Sequence, residues 1–143
     1  MLRSDRASAL LLFPAAFFAM LVLGALAVDI TLVEVRAREL RAVAASSADD
    51  ALGGLDVGAL RDAGELVLDP GAVERIVRET VAAGPVPEAA VVAVDIRRVE
   101  SGRLETDVTM QLDVALVLEP ELTGRRPVFT VTRSATAVVI EAP

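Results

Sequence analysis

Carboxylates and guanidiniums are almost the only reactive side chains in this chain of 143 residues. The sequence contains 21 Asp and Glu residues and 14 basic residues, all of them Arg, and it has no His, Cys, Lys, Tyr, Trp or Asn. It therefore lacks nucleophile–histidine systems, thiolate and imidazole metal ligands, and the amine of a Schiff base or P-loop. The chemistry that remains is that of a carboxylate pair or of a cation site with oxygen ligands.

Two groups of carboxylates are candidates for that chemistry. Glu105, Asp107 and Asp113 lie on one side of a predicted strand, but a hydrolytic pair needs an enclosing pocket, and the sequence has no aromatic set to build one. Asp49-Asp50 is not followed by a loop of alternating oxygen ligands and is interpreted as a solvated helix face. We expect neither enzymatic activity nor a metal, cofactor or small-molecule substrate.

The apolar residues, 54% of the chain, are concentrated near the N-terminus, and the net charge of −7 argues against a nucleic-acid partner. Residues 1–28 comprise a short tail and a run without charge from Ala7 to Val28. At about 1.5 Å per residue the run spans roughly 33 Å as a helix, enough for a hydrocarbon core of about 30 Å. This predicted transmembrane helix also contains Pro14, Phe17, Phe18 and Gly24.

A cleavable secretory signal is the alternative interpretation of the same residues. Arg3 and Arg6 form a short basic start, and Ala25-Leu26-Ala27 has the small-x-small pattern of a signal-peptidase site. Cleavage after Ala27 would release a secreted small binding module. The retained helix is favoured because no Pro or Gly interrupts the helical pattern beyond the run until Gly53.

Residues 29–55 are predicted to continue the helix as an amphipathic stalk. Glu34 and Arg38 are placed as an i,i+4 ion pair on its surface. Asp29 is interpreted as the interfacial end of the span, the alternative being a contact with a basic group of a partner. The apolar stripe is expected to pack on the chain's own sheet in its C-terminal half. It consists of Ile30, Val33, Ala37, Leu40, Ala44, Ser47 and Ala51.

Residues 56–143 are predicted to form a small domain outside the membrane. After a loop that starts at Gly53, Asp69-Pro70 is typical of a helix start and Gly84-Pro85 of a helix end. The hydrophobic period then changes from 3.6 to 2, which predicts three antiparallel strands. They cover residues 92–96, 104–118 and 128–140, with turns at Ser101-Gly102 and residues 120–127.

The predicted fold class is therefore α+β: a long N-terminal helix, one short helix and a three-stranded antiparallel sheet whose apolar face the helices cover. Phe129 is the only aromatic residue available to the core of the domain. The apolar row of the middle strand contains Leu104, Val108, Met110, Leu112, Val114, Leu116 and Leu118.

Several segments of the first fifty residues carry a family resemblance. They are Arg6, the LLLFP stretch that ends at Pro14, the GALAVD segment from Gly24 to Asp29, Arg38-Glu39-Leu40, and the ASSADDA segment that includes Asp49-Asp50. With the predicted architecture, which is that of pilins, these segments resemble the N-terminal region of TadE/TadG-like proteins of the Flp (Tad) pilus assembly system.

The resemblance implies a structural membrane protein of the bacterial cell envelope. The apolar run predicts a single pass, and the short N-terminal tail, which is easily left in the cytoplasm, favours an extracytoplasmic C-terminal domain. The implied partners are the lipid bilayer and other pilin-like or Tad assembly-platform proteins that bind the N-terminal helix. Two departures bear on processing: Ala7 stands where relatives often have Gly, and Leu11 or Leu12 where pseudopilins often have Glu. We therefore expect a membrane-retained assembly component rather than a cleaved major filament subunit.

Overall fold

The computed structural model of the protein describes residues 4–99, 103–117 and 128–140, with side chains from residue 12 onward. The predicted turns at Ser101-Gly102 and at residues 120–127 lie outside this part of the chain. The fold is α+β with a long N-terminal apolar helix and a three-stranded antiparallel sheet, as predicted. In chain order the elements are helices α1 (Ser4–Ala51), α2 (Val57–Ala63) and α3 (Pro70–Ala83), and strands β1 (Ala90–Val99), β2 (Arg103–Ala115) and β3 (Val128–Ile140).

Helix α1 is unbroken over 48 residues and continues through Pro14. Its two halves have different surroundings: the side chains of residues 12–28 are almost all exposed, whereas from Ala37 onward one stripe is buried. The stripe predicted from the sequence is thereby confirmed in its C-terminal part, while Ile30, its first member, is 62% exposed. The fully buried members are Leu40, Ala44, Ser47 and Ala51.

Helix α3 begins and ends where the sequence predicts. Asp69 is the N-cap, and its carboxylate accepts a hydrogen bond from the Gly71 N–H at 2.9 Å. Pro70 is the first helical residue, where its missing N–H costs no hydrogen bond. The inner face of the helix consists of Val73, Val77 and Val81, all buried.

Helix α2 lies in the segment that the sequence analysis assigned to a loop, so the expectation of one short helix is incomplete. Asp56 caps this helix by accepting hydrogen bonds from the Gly58 and Ala59 N–H groups at 2.9 and 3.0 Å. Gly64 ends it in the left-handed conformation, with φ of 68°. The helix has seven residues, none of them buried, and so lacks the apolar periodicity that marks a longer helix.

The sheet has the strand order β1-β2-β3. Strands β2 and β3 pair without a register shift from Arg103 opposite Ile140 to Ala115 opposite Val128, whereas β1 has an irregularity between Val91 and Ala93. Strand β2 alternates as predicted, with one row buried, but it ends at Ala115: Leu116 follows the strand and is half-buried, and Leu118 lies outside the described residues. The buried row consists of Leu104, Thr106, Val108, Met110, Leu112 and Val114.

One hydrophobic core lies between the helices and this face of the sheet. Helix α1 packs on β2, β3 and α3, and α3 contacts β1. Leu40, Val77 and Met110 belong to the same buried cluster, which confirms that the C-terminal half of α1 packs on the chain's own sheet. Phe129 is 50% exposed rather than central to the core, because it lies at the end of the sheet and lines an open groove.

Candidate functional site

The N-terminal half of α1 presents large apolar side chains outward. Phe13, Phe17 and Phe18 are 77%, 58% and 67% exposed. Its most apolar 18-residue window has a mean hydropathy of 2.4, and 6% of that window is buried in the fold. Within the described residues, α1 is therefore the one helix that is long and apolar enough to cross a membrane.

The other residues that the sequence assigned to the span also lie on this helix. Pro14 and Val28 are exposed, and a Cβ added at Gly24 would meet no atom within 4 Å. Ala7 is part of α1 and precedes the first described side chain. Those of these positions whose side chains are described are exposed, so their surroundings are set by the solvent or lipid that encloses the helix.

Asp29 lies where the exposed half of α1 meets the sheet. Asp29 is only 5% exposed, and its Oδ1 accepts a hydrogen bond from the Val117 N–H at 2.5 Å. The contact joins α1 to the segment directly after β2. The sequence suggested a boundary residue or a contact with a partner; the structure adds a contact within the chain that no local pattern signals, since the two residues are 88 positions apart.

An open apolar groove of about 670 Å³ lies beside Asp29, between α1 and the adjoining ends of β2 and β3. Its polar lining comes from Asp29, Glu34 and Arg38, and the last two already bind each other. The groove therefore offers mainly apolar contact rather than free catalytic groups. The apolar residues that line it are Leu26, Ile30, Val33, Leu116 and Phe129.

The predicted stalk residues have separate roles along α1. Arg38 Nε donates to Glu34 Oε1 at 3.1 Å, which confirms the predicted i,i+4 pair. Glu39 pairs instead with Arg36 at 2.9 Å, a contact the sequence analysis did not identify. Leu40 is fully buried in the core. Exposed pairs of this kind contribute little stability, typically about 0.3–0.5 kcal/mol, so Leu40 matters most for the fold.

The three carboxylates on the polar face of β2 each have a partner within the sheet, and Glu105 forms an ion pair with Arg103 at 3.8 Å. Asp107 accepts a hydrogen bond from Thr136 Oγ1 at 2.9 Å, and Asp113 accepts one from Thr130 Oγ1 at 2.7 Å. Each thereby links β2 to β3 on the polar face of the sheet. Among the described residues, no group of three or more acidic side chains is arranged to hold a metal ion.

Asp50 has a structural contact that the sequence did not reveal. Its Oδ2 accepts a hydrogen bond from Thr80 Oγ1 at 2.9 Å and so links the end of α1 to α3. Asp49 beside it is exposed, in agreement with a solvated helix face. Asp49 therefore faces solvent, whereas Asp50 links α1 to α3.

Comparison with protein-family models, curated proteins and solved structures finds no match to this chain. Its residues and geometry are therefore the basis for a functional proposal. They define a small α+β domain carried on a helix that is long and apolar enough to span a membrane.

Proposed function

We propose that the protein is a membrane-anchored structural component of pilus assembly in the bacterial cell envelope, similar to TadE/TadG-like proteins. The exposed half of α1 spans the bilayer as a single pass, and the C-terminal domain lies outside the cytoplasm. The helix associates laterally with other pilin-like helices or with the assembly platform. The protein acts by holding and presenting its domain, not by catalysis.

The continuity of α1 is the observation that carries this proposal. One helix supplies both the apolar span and, from Ala37 onward, the buried stripe on which the sheet packs. A Pro or Gly that separated the two halves would allow the domain to swing on a linker, but the segment between Val28 and Ala37 has neither. The domain is thus joined to its anchor by one continuous helix rather than by a flexible linker.

The chemistry of the chain supports a structural role as well. Two carboxylates of β2, Asp107 and Asp113, bind threonine hydroxyls of β3, and the groove beside Asp29 is largely apolar. Helix-to-helix association in a membrane depends on close van der Waals packing, which small residues permit, and on hydrogen bonds between helices. The exposed face of α1, with its small and apolar residues, is suited to such packing.

Deletion of the gene in the source bacterium tests the pilus role. We expect surface filaments to be lost and to return on complementation with the full chain. A control strain carries residues 28–143 behind an unrelated cleavable signal, which supplies the domain without its anchor and is expected to leave the filaments absent. Filaments unaffected by the deletion would contradict the pilus role, and restoration by the released domain would contradict the need for an anchor.

A further inference from the structure

The end of the sheet that lies beside Asp29 carries an unusual set of exposed apolar residues. Val117 is 62% exposed, and Val128 and Phe129, the first two residues of β3, are each 50% exposed. On α1, Ile30 is 62% exposed and Leu26 is 46% exposed. Exposed apolar residues that cluster in this way commonly mark a contact surface. We call these five residues the apolar rim.

The hydrogen bond of Asp29 sets the height of the apolar rim along α1. Because Asp29 Oδ1 binds the Val117 N–H, the end of β2 is held beside the first turn after the uncharged run. One helical turn rises about 5.4 Å. The headgroup layer adds roughly 5–8 Å on each side of the hydrocarbon core, so a rim at this height lies within that layer if α1 spans the bilayer.

The charges along α1 agree with this depth. From Ala7 to Val33 the sequence holds one charged residue, Asp29, and its carboxylate is buried against the sheet. The outward surface of the helix thus stays apolar past Asp29 as far as Ile30, and Glu34 is the first exposed charge beyond it. The apolar surface of the span therefore continues without interruption into the apolar rim.

The apolar rim includes residues on both faces of the sheet, which favours a membrane over a protein as its occupant. Val128 and Phe129 are consecutive strand residues, so their side chains lie on opposite faces, and both are half exposed. On the outer face, the next residues in the same row are Thr130, Thr132 and Ser134. These polar residues separate the apolar end of the sheet beside Asp29 from the exposed Val138 and Ile140 at the other end. An apolar layer that covers both faces at the end beside the span matches the flat surface of the bilayer.

We propose that the apolar rim is inserted into the interfacial layer of the bilayer that α1 spans, so that the domain binds lipid as well as being tethered to it. This inference rests on the proposed membrane anchorage. Interfacial segments typically bury their apolar face about 5–10 Å into the boundary between headgroups and acyl chains. A second contact besides the helix fixes the tilt and rotation of the domain on the membrane surface.

The absence of cysteine in the sequence allows a direct test by single-site labelling. The full-length variants Val128→Cys and Val117→Cys carry an NBD fluorophore in vesicles of phosphatidylcholine and phosphatidylglycerol, with or without lipids that bear a nitroxide near the top of the acyl chain. Ser134→Cys is the matched control, because Ser134 is exposed on the same face of β3 as Val128. Leu23→Cys, in the exposed half of α1, reports on anchorage itself.

We expect the nitroxide lipid to quench the emission at positions 128 and 117 by about half or more, because groups at interfacial depth lie within its reach. At position 134 we expect little quenching. Quenching at position 23 without quenching at 128 and 117 would overturn the interfacial contact alone. Loss of quenching at position 23 would overturn the anchorage. Self-quenching between labelled copies at position 128, independent of the nitroxide lipid, would indicate a second copy as the occupant and would also overturn the proposal.

Discussion

The buried residue Asp29 helps to hold α1 against the segment that follows β2. A carboxylate that accepts a backbone N–H makes a charge-assisted hydrogen bond, and such bonds contribute about 1.5–3 kcal/mol. Asp29 makes this bond where the exposed half of α1 meets the domain, and it ties α1 to Val117, two residues beyond the end of β2.

Replacement of Asp29 by Ala should lower the free energy of unfolding by about 1.5–3 kcal/mol, because the charge-assisted hydrogen bond from the Val117 N–H is lost. Asp29→Asn keeps an oxygen acceptor and should lose less. The measurement is urea unfolding of the full chain in detergent micelles. Asp49→Ala, an exposed carboxylate on the same helix, should change stability by less than about 0.5 kcal/mol. Equal effects at positions 29 and 49 would refute the role of Asp29.

Thr106 is a residue at which a substitution should raise, rather than lower, the free energy of unfolding. It is fully buried in the apolar row of β2, and in the described part of the chain its hydroxyl has no hydrogen-bond partner. Thr106→Val replaces that hydroxyl by a methyl group of similar shape and should raise the free energy of unfolding by about 1 kcal/mol. Thr136→Val, which removes a hydroxyl that donates to Asp107, should be neutral or destabilising. A loss of stability in both variants would show that the Thr106 hydroxyl is satisfied.

At the scale of elements, the junction between α1 and α3 depends on a close approach of backbone to side chain. Gly54 follows α1, and its carbonyl accepts a hydrogen bond from the Asp69 N–H at 2.9 Å. A Cβ at position 54 would lie 2.8 Å from Val73 Cγ2 and 3.1 Å from the Val73 nitrogen. Val73 is fully buried, so neither atom can move away easily.

Gly54→Ala should therefore reduce the free energy of unfolding by about 1–3 kcal/mol, the usual effect of excess volume in a packed site. The same unfolding measurement in micelles applies. Gly24→Ala is the matched control, because the added Cβ meets nothing within 4 Å and alanine favours a helix. If Gly54→Ala were as stable as Gly24→Ala, the two helices would not be packed as closely as the structure has them.

The main elements could be predicted because their signals are local. The Asp69-Pro70 cap, the Gly84 stop and the alternation from Val108 to Val114 all lie within the residues that form the element. Helix α2 was missed because seven exposed residues carry no apolar period, although Asp56 and Gly64 bound it as Asp69 and Gly84 bound α3.

The candidate site could be predicted only in part. The exposed span follows from a continuous apolar run, but the contact between Asp29 and Val117 and that between Asp50 and Thr80 join distant parts of the chain. Thr106 was left out of the predicted apolar row because a hydroxyl on an inward position breaks the pattern. Such contacts depend on how the elements pack against one another. The hydrophobic period of a segment indicates only which of its faces is apolar.

At the scale of the whole molecule, the same helix provides the apolar span and part of the domain core. Cleavage after Ala27 would leave Asp29 and the buried stripe within the domain, so a released domain could keep its core. Stability of the domain therefore does not separate an anchored protein from a secreted one. The two are distinguished by whether residues 1–27 remain attached to the protein in the cell.

The N-terminus and intact mass of the protein recovered from fractionated cells test the anchorage most directly. Membranes are washed with alkaline carbonate, and the pellet and the culture medium are analysed by mass spectrometry. We expect the chain in the carbonate-resistant pellet with the apolar run from Ala7 to Val28 still attached. A chain that begins at Val28 and is found in the medium would contradict membrane anchorage and would favour the secreted binding module.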